Sequence, residues 1–177
     1  MANRRTQKTQ RELKNAFVDL LSKKRIEKIR VNEVAELAEV SRATFYLHFE
    51  DIYGIYDSVK NDILIDLWKI FNKEDKSNSE NVFIEIIENS INYIDENMSL
   101  FRAMTLNGNI LDSMLKGMNE IYLEEFYPTE KTDYGIAEVN FVAWGLMGTI
   151  NDWVKGDLNI PKDYLIKIIR HIVARFI

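Results

Sequence analysis

The 177-residue sequence predicts an all-helical protein, and three observations carry that prediction. Seven glycines and two prolines leave little turn chemistry for a fold of many short strands. Apolar residues recur at three- and four-residue intervals along nearly the whole chain, which is the helical period. With 46% hydrophobic and 11% aromatic residues, such helices have enough apolar surface to pack a core, which excludes a globally disordered chain.

The elements follow in order. Leu13, Ala16, Phe17, Leu20 and Leu21 form one stripe of a first helix over about residues 7–22. Val34, Ala35 and Ala38 make the face of a short second helix, and after a break Val40 and Phe45 continue it. Ser41 is placed to cap the next helix, its hydroxyl accepting from a backbone N–H two or three residues on. A long amphipathic segment with Ile55, Val59, Ile63 and Leu67 then runs up to a polar stretch, Asn72–Glu80. Phe83, Ile86, Ile87, Ile91 and Ile94 form the next stripe, and Ile110, Leu111, Met114, Leu115, Met118, Ile121 and Tyr122 another. Beyond the polar stretch Pro128–Asp133, residues 134–155 are apolar on more than one face, which predicts a helix buried on several sides. Leu165, Ile168, Ile169, Ile172, Val173 and Phe176 line the last helix, with Pro161 near its first turn. The sum is about nine helices and no sheet, divided into a head of residues 1–50 and a body of residues 51–177.

Charge separates the same two parts. Residues 1–30 carry ten Lys and Arg against three acids, whereas residues 51–177 carry twelve against twenty-one. A basic end on an acidic body suits a nucleic-acid contact, because phosphates draw Lys and Arg through counterion release; a merely solvated face has the same look. The absence of cysteine excludes disulfides, thiolate metal sites and cysteine nucleophiles. The two histidines, His48 and His171, have no metal-ligand spacing, and no glycine-rich loop follows a strand. No cofactor, metal or enzymatic activity is therefore expected. No apolar stretch approaches the ~18 residues of a membrane span, and the opening residues carry no apolar signal core. A cytoplasmic protein without a membrane partner is expected.

Residues 31–49, VNEVAELAEVSRATFYLHF, have the proportions of a helix-turn-helix. Its second helix turns Arg42, Ala43, Thr44, Tyr46 and His48 outward. Arg reaches guanine or phosphate, small Ala and Thr meet a thymine methyl, and Tyr and His reach phosphate oxygens. Arg30, Asn32 and Ser41, at or near the helix starts, complete the DNA-contact candidates. A short buried helical pair gives similar spacing without any such role. The stretch Tyr46-Leu47-His48-Phe49, with Ser41-Arg42-Ala43-Thr44-Phe45-Tyr46 and Lys28-Ile29-Arg30-Val31 before it, resembles the DNA-binding domain of TetR-family transcriptional regulators, in the branch typified by DhaS-like regulators.

The motif resemblance covers about residues 8–58 and is architectural beyond them. It implies a homodimer that binds a double-stranded DNA operator, most often as a repressor released by a small-molecule inducer. Arg42, Ala43 and Thr44 fall on the family's base-reading positions, Tyr46 and His48 on its phosphate contacts, and Phe45 and Phe49 on the apolar positions that lock the recognition helix. Three departures stand out. Arg30 replaces a common Thr. Glu39 replaces the usual turn glycine, at a position expected to need positive φ and to cost Glu on the order of 1 kcal/mol. Ile52, beside Glu50 and Asp51, replaces a phosphate-contacting Lys, although those acids suit the start of the fourth helix. The departures leave open an alternative, a TetR-like coactivator that acts through a protein partner without reading DNA.

Two further groups are candidates in the body. Trp68, Phe101, Met104, Met114, Met118, Tyr122 and Trp144 are placed to surround an apolar pocket for a small apolar or aromatic inducer, or to pack as plain core. Ala143, Gly145 and Gly148 are small residues among bulky ones, with Leu165, Ile169, Ile172 and Phe176 on the final helix. They suit a dimer interface, or close packing inside one subunit.

Overall fold

The computed structural model describes residues 4–73, 79–108, 110, 113–116 and 132–175. The order is α1 (Arg4–Leu21), a 3-10 turn (Ile26–Lys28), α2 (Val31–Leu37), α3 (Arg42–Tyr46), α4 (Ile52–Lys73), α5 (Ser79–Glu96), α6 (Met98–Asn107), α7 (Asp133–Lys155) and α8 (Lys162–Val173). No strand occurs among the described residues, so the class is the one the apolar spacing predicts. The first helix begins at Arg4, three residues earlier than the apolar stripe indicates, because polar residues extend it beyond the core contacts.

One apolar core runs through head and body. Leu13, Phe17 and Leu21 of α1 meet Val34 and Ala35 of α2, Phe45 of α3 and Phe49, and Ile52, Ile55, Val59 and Ile63 carry the same core along α4. Ile87, Ile91 and Ile94 of α5 and Phe101 and Met104 of α6 continue it, and Leu165, Ile169 and Val173 of α8 close its far side. α4 therefore belongs to both parts. Phe83, Leu111, Met118, Ile121, Tyr122 and Phe176, and most of the polar stretches at Asn72–Glu80 and Pro128–Asp133, lie outside the described residues or side chains.

The ends of the helices are written in the sequence. The Thr132 hydroxyl accepts from the Gly135 N–H at 3.1 Å to start α7. Gly156 ends it at φ 87°, a left-handed conformation in which glycine carries no Cβ penalty. Asp51 caps α4, accepting from the Gly54 N–H at 2.8 Å, as the acidic pair before that helix suggests. α7 departs from expectation on one side. Val139, Val142, Leu146, Met147 and Ile150 are buried, but Tyr134, Phe141, Trp144, Gly145 and Gly148 lie exposed along the opposite face. The second apolar face thus points away from the chain's own core.

Candidate nucleic-acid interface

The helix-turn-helix rests on a few backbone decisions. The Arg30 N–H donates to the Glu33 carboxylate at 2.9 Å, and Lys24 reaches the other carboxylate oxygen from the preceding turn. The Lys24 hydrogen bond first, and the Arg30 N–H second, hold the Glu33 carboxyl below its ordinary range. At the other end of α2 the Glu39 N–H donates to Glu36 O (3.0 Å) and the Val40 N–H to Ala35 O (2.9 Å). This pair of bonds is the Schellman closure, which requires a left-handed residue, and Glu39 supplies it at φ 54°. The sequence reading of that position is confirmed: the turn needs positive φ, and a non-glycine residue accepts the strain.

Ser41 then starts α3. Its Oγ accepts from the Thr44 N–H at 3.0 Å and sits 2.8 Å from Thr44 Oγ1. Both hydroxyls are engaged in the cap, so Ser41 serves the helix start before any DNA contact. Phe45 is fully buried and Phe49 nearly so, their rings 5.8 Å apart, and they fasten α3 to the core. The five-residue helix is thereby held by one apolar anchor and one cap.

What remains outward is the candidate contact surface. Arg42, Ala43 and Tyr46 are exposed and His48 is half-buried against Phe49. Arg30 and Asn32 are exposed at the start of α2. The structure therefore places Arg42, Ala43, Thr44 and Tyr46 on α3 and His48 just after it, with Arg30 and Asn32 at the start of the helix before. Leu47, within the same motif, is 84% exposed. Sequence reasoning passed over it because an apolar residue in an apolar-rich motif reads as core; its position between two outward polar residues was the available signal.

The basic residues of the head divide. Lys14 turns to the body, bonding Asp62 and the Ser58 carbonyl of α4. Lys23 pairs with Asp19 at 2.7 Å and Lys24 with Glu33. Arg4, Arg5, Lys8, Arg11, Arg25 and Lys28 stay on the exposed surface. Ile52 is buried, so that position packs in the core.

The body candidates scatter more. Phe101 and Met104 are fully buried and Met114 nearly so, packed in the core, while Trp68 and Trp144 are exposed. Met118 and Tyr122 lie outside the described residues. Among the described residues, a shallow groove runs between α5 and α8, lined by Ile84, Ile87, Glu88, Ile91, Ile166 and Arg170, none of them in the predicted pocket. Of the small residues, Ala143 is buried within the subunit; a Cβ added at Gly145 or Gly148 would meet nothing within 4 Å. Leu165 and Ile169 face the core and Ile172 is exposed. No helix of the described residues is long and apolar enough to cross a membrane, and they contain no cluster of metal-ligating side chains.

No family model matches the sequence. A curated relative, an uncharacterized HTH-type transcriptional regulator YxbF of Bacillus subtilis (strain 168), is 30% identical over 101 residues, which are 55% of this chain and 26% of that protein. The chain thus matches about a quarter of the length of that relative. The structure is similar to that of a tetR-family transcriptional regulator from Streptomyces coelicolor, with TM-score 0.74, 19% identity, and 99% of this chain and 82% of the other covered. It is also similar to the dihydroxyacetone kinase operon activator DhaS, with TM-score 0.66, 16% identity and coverage of 95% and 93%. The chain has the fold of the TetR-family transcriptional regulators, the family that its helix-turn-helix motif resembles.

Proposed function

We propose that the chain is a cytoplasmic, sequence-specific DNA-binding regulator that acts as a homodimer and represses until a small apolar ligand releases it. The observation that carries DNA reading is α3 itself, a five-residue helix held from behind by Phe45 and Phe49 with Arg42, Ala43 and Tyr46 exposed in front. Repression and release rest on the resemblance to the family. The DhaS neighbour is described as an activator, so the sign of regulation is read from transcript levels: deleting the gene raises the target transcript under this reading.

The homodimer is supported by the outward face of α7. Tyr134, Trp144, Gly145 and Gly148 repeat at helical spacing on one exposed stripe, and α8 adds Tyr164 and Ile172. Two glycines with open space around them on an apolar face suit a helix that approaches from a second copy rather than from within. Two recognition helices in such a dimer enter successive major grooves about one DNA turn apart, on a near-palindrome. A ligand shifts DNA affinity only if it favours one spacing of the heads over the other.

The test is selection of genomic fragments by purified protein at about 50 and 200 mM salt. Enrichment of one near-palindrome, weakened at the higher salt as several phosphate contacts require, supports the reading. Binding spread evenly over all fragments, or none, overturns it.

A further inference from the structure

The C-terminal end of α6 is wedged into the head. The Asn107 side chain makes two hydrogen bonds to the head and one back to its own helix. Its Oδ1 accepts from the Ile26 N–H at 2.8 Å, and its Nδ2 donates to Ala103 O at 2.8 Å and Leu21 O at 3.3 Å. The orientation of the amide is fixed by its partners, because an N–H only donates and the two carbonyls only accept. Leu21 is the last residue of α1 and Ile26 the first of the 3-10 turn that leads into α2. One body side chain therefore ties the end of α1 to the start of the 3-10 turn, across sequence separations of 86 and 81 residues.

The contact beside it is close and non-directional. A Cβ at Gly108 would lie 1.9 Å from Tyr56 Oη on α4, so only glycine lets the α6 end come this near. The Tyr56 hydroxyl is buried without a hydrogen-bond partner, and its ring packs edge-on against Phe17 of α1 at 6.5 Å. Apolar packing of this kind tolerates small rotations, whereas two directional hydrogen bonds from one amide tolerate them less. Asn107 thus constrains the direction in which the head leaves the body, beside the core that the two share.

We propose that Asn107 is a positioning residue for DNA reading: it touches no DNA, and fixes the angle of the α1–α3 head on the body and so the spacing of the two recognition helices in the dimer. The proposal rests on the DNA-binding reading above. It makes a distinction that simple loss of stability does not. Spacing matters when two heads bind one palindrome, and is irrelevant to one head on one half-site.

The experiment compares the wild-type dimer with Asn107→Ala and Asn107→Asp on the selected palindrome and on a duplex that carries a single half-site. Amide hydrogen exchange is followed in the same samples. Asn107→Ala is expected to weaken palindrome binding about tenfold, to leave half-site binding unchanged, and to speed exchange at Ile26 while α8 keeps its protection. Asn107→Asp keeps the acceptor for Ile26 but sets an oxygen against two carbonyls; it is expected to protect Ile26 and lose less on the palindrome. Equal losses on both duplexes, or no loss on the palindrome, overturn the proposal, and Asn107→Asp decides it if the Ala variant does not fold. A wild-type chain that selects no site at all sinks the DNA-binding reading, and with it any role for Asn107 in it.

Discussion

Arg42 opens α3 with its guanidinium exposed, one residue after the Ser41 cap, where a recognition helix meets the groove. Arg42→Ala is expected to cost ~1–3 kcal/mol on the selected site and to relax base preference at one position per half-site. Tyr46→Phe removes a hydroxyl suited to phosphate, so binding-competition assays should show equal weakening on all sequences. Glu39 gives a prediction of the opposite sign. Its φ of 54° is a conformation glycine adopts freely, so Glu39→Gly should stabilise the chain by up to about 1 kcal/mol in urea unfolding. A destabilised variant would mean that the Glu39 side chain contributes more than the strain removes. The outward placement of Arg42, Ala43 and Tyr46 was legible because they sit within one short motif of fixed spacing. Asn107 was not, since its role comes from partners more than eighty positions away, for which no local pattern exists.

At the scale of the element, the start of α2 is sensitive to acid. Glu33 has a carboxyl held below its ordinary range, first by Lys24 and then by the Arg30 N–H. A carboxyl depressed in the folded state adds stability above its unfolded value and loses it as pH falls through the folded one. Protection factors of the α2 amides should therefore fall as pH drops through and below the ordinary carboxylate range, and Glu33→Gln should blunt that loss while weakening α2 at neutral pH. A variant with the same acid profile as wild type would contradict the assignment. Helix existence was readable from spacing almost everywhere, because burial demands the 3.6-residue period. The start of α1 was not, because Arg4 to Gln10 extend the helix without burying apolar surface. Nor was the second face of α7: an apolar stripe looks alike whether its own core or another molecule covers it.

For the whole molecule, the head and body share one core, and the outer face of α7 and α8 is where a second copy is expected. Trp144 is 59% exposed there, so Trp144→Glu should keep the helical content of the chain while shifting it to monomer in sedimentation. Operator affinity should fall with it, because two half-sites then bind separately. A variant that stays dimeric would place the interface elsewhere. Charge and motif set residues 1–50 apart in the sequence, whereas one core joins them to the rest; a pocket does not show in sequence, because a lining is assembled from helices whose packing the sequence does not display. Phe101 and Met104 show the difficulty, since a helical Met and aromatic stripe reads the same as core or as ligand surface, and both are fully buried.

Whether α3 reads bases is decided by site selection with wild-type protein and Arg42→Ala side by side. The wild type should select a near-palindrome, and the variant the same palindrome with one position per half-site degenerate. An unchanged selected site at unchanged affinity would contradict this expectation, and would move base reading away from Arg42.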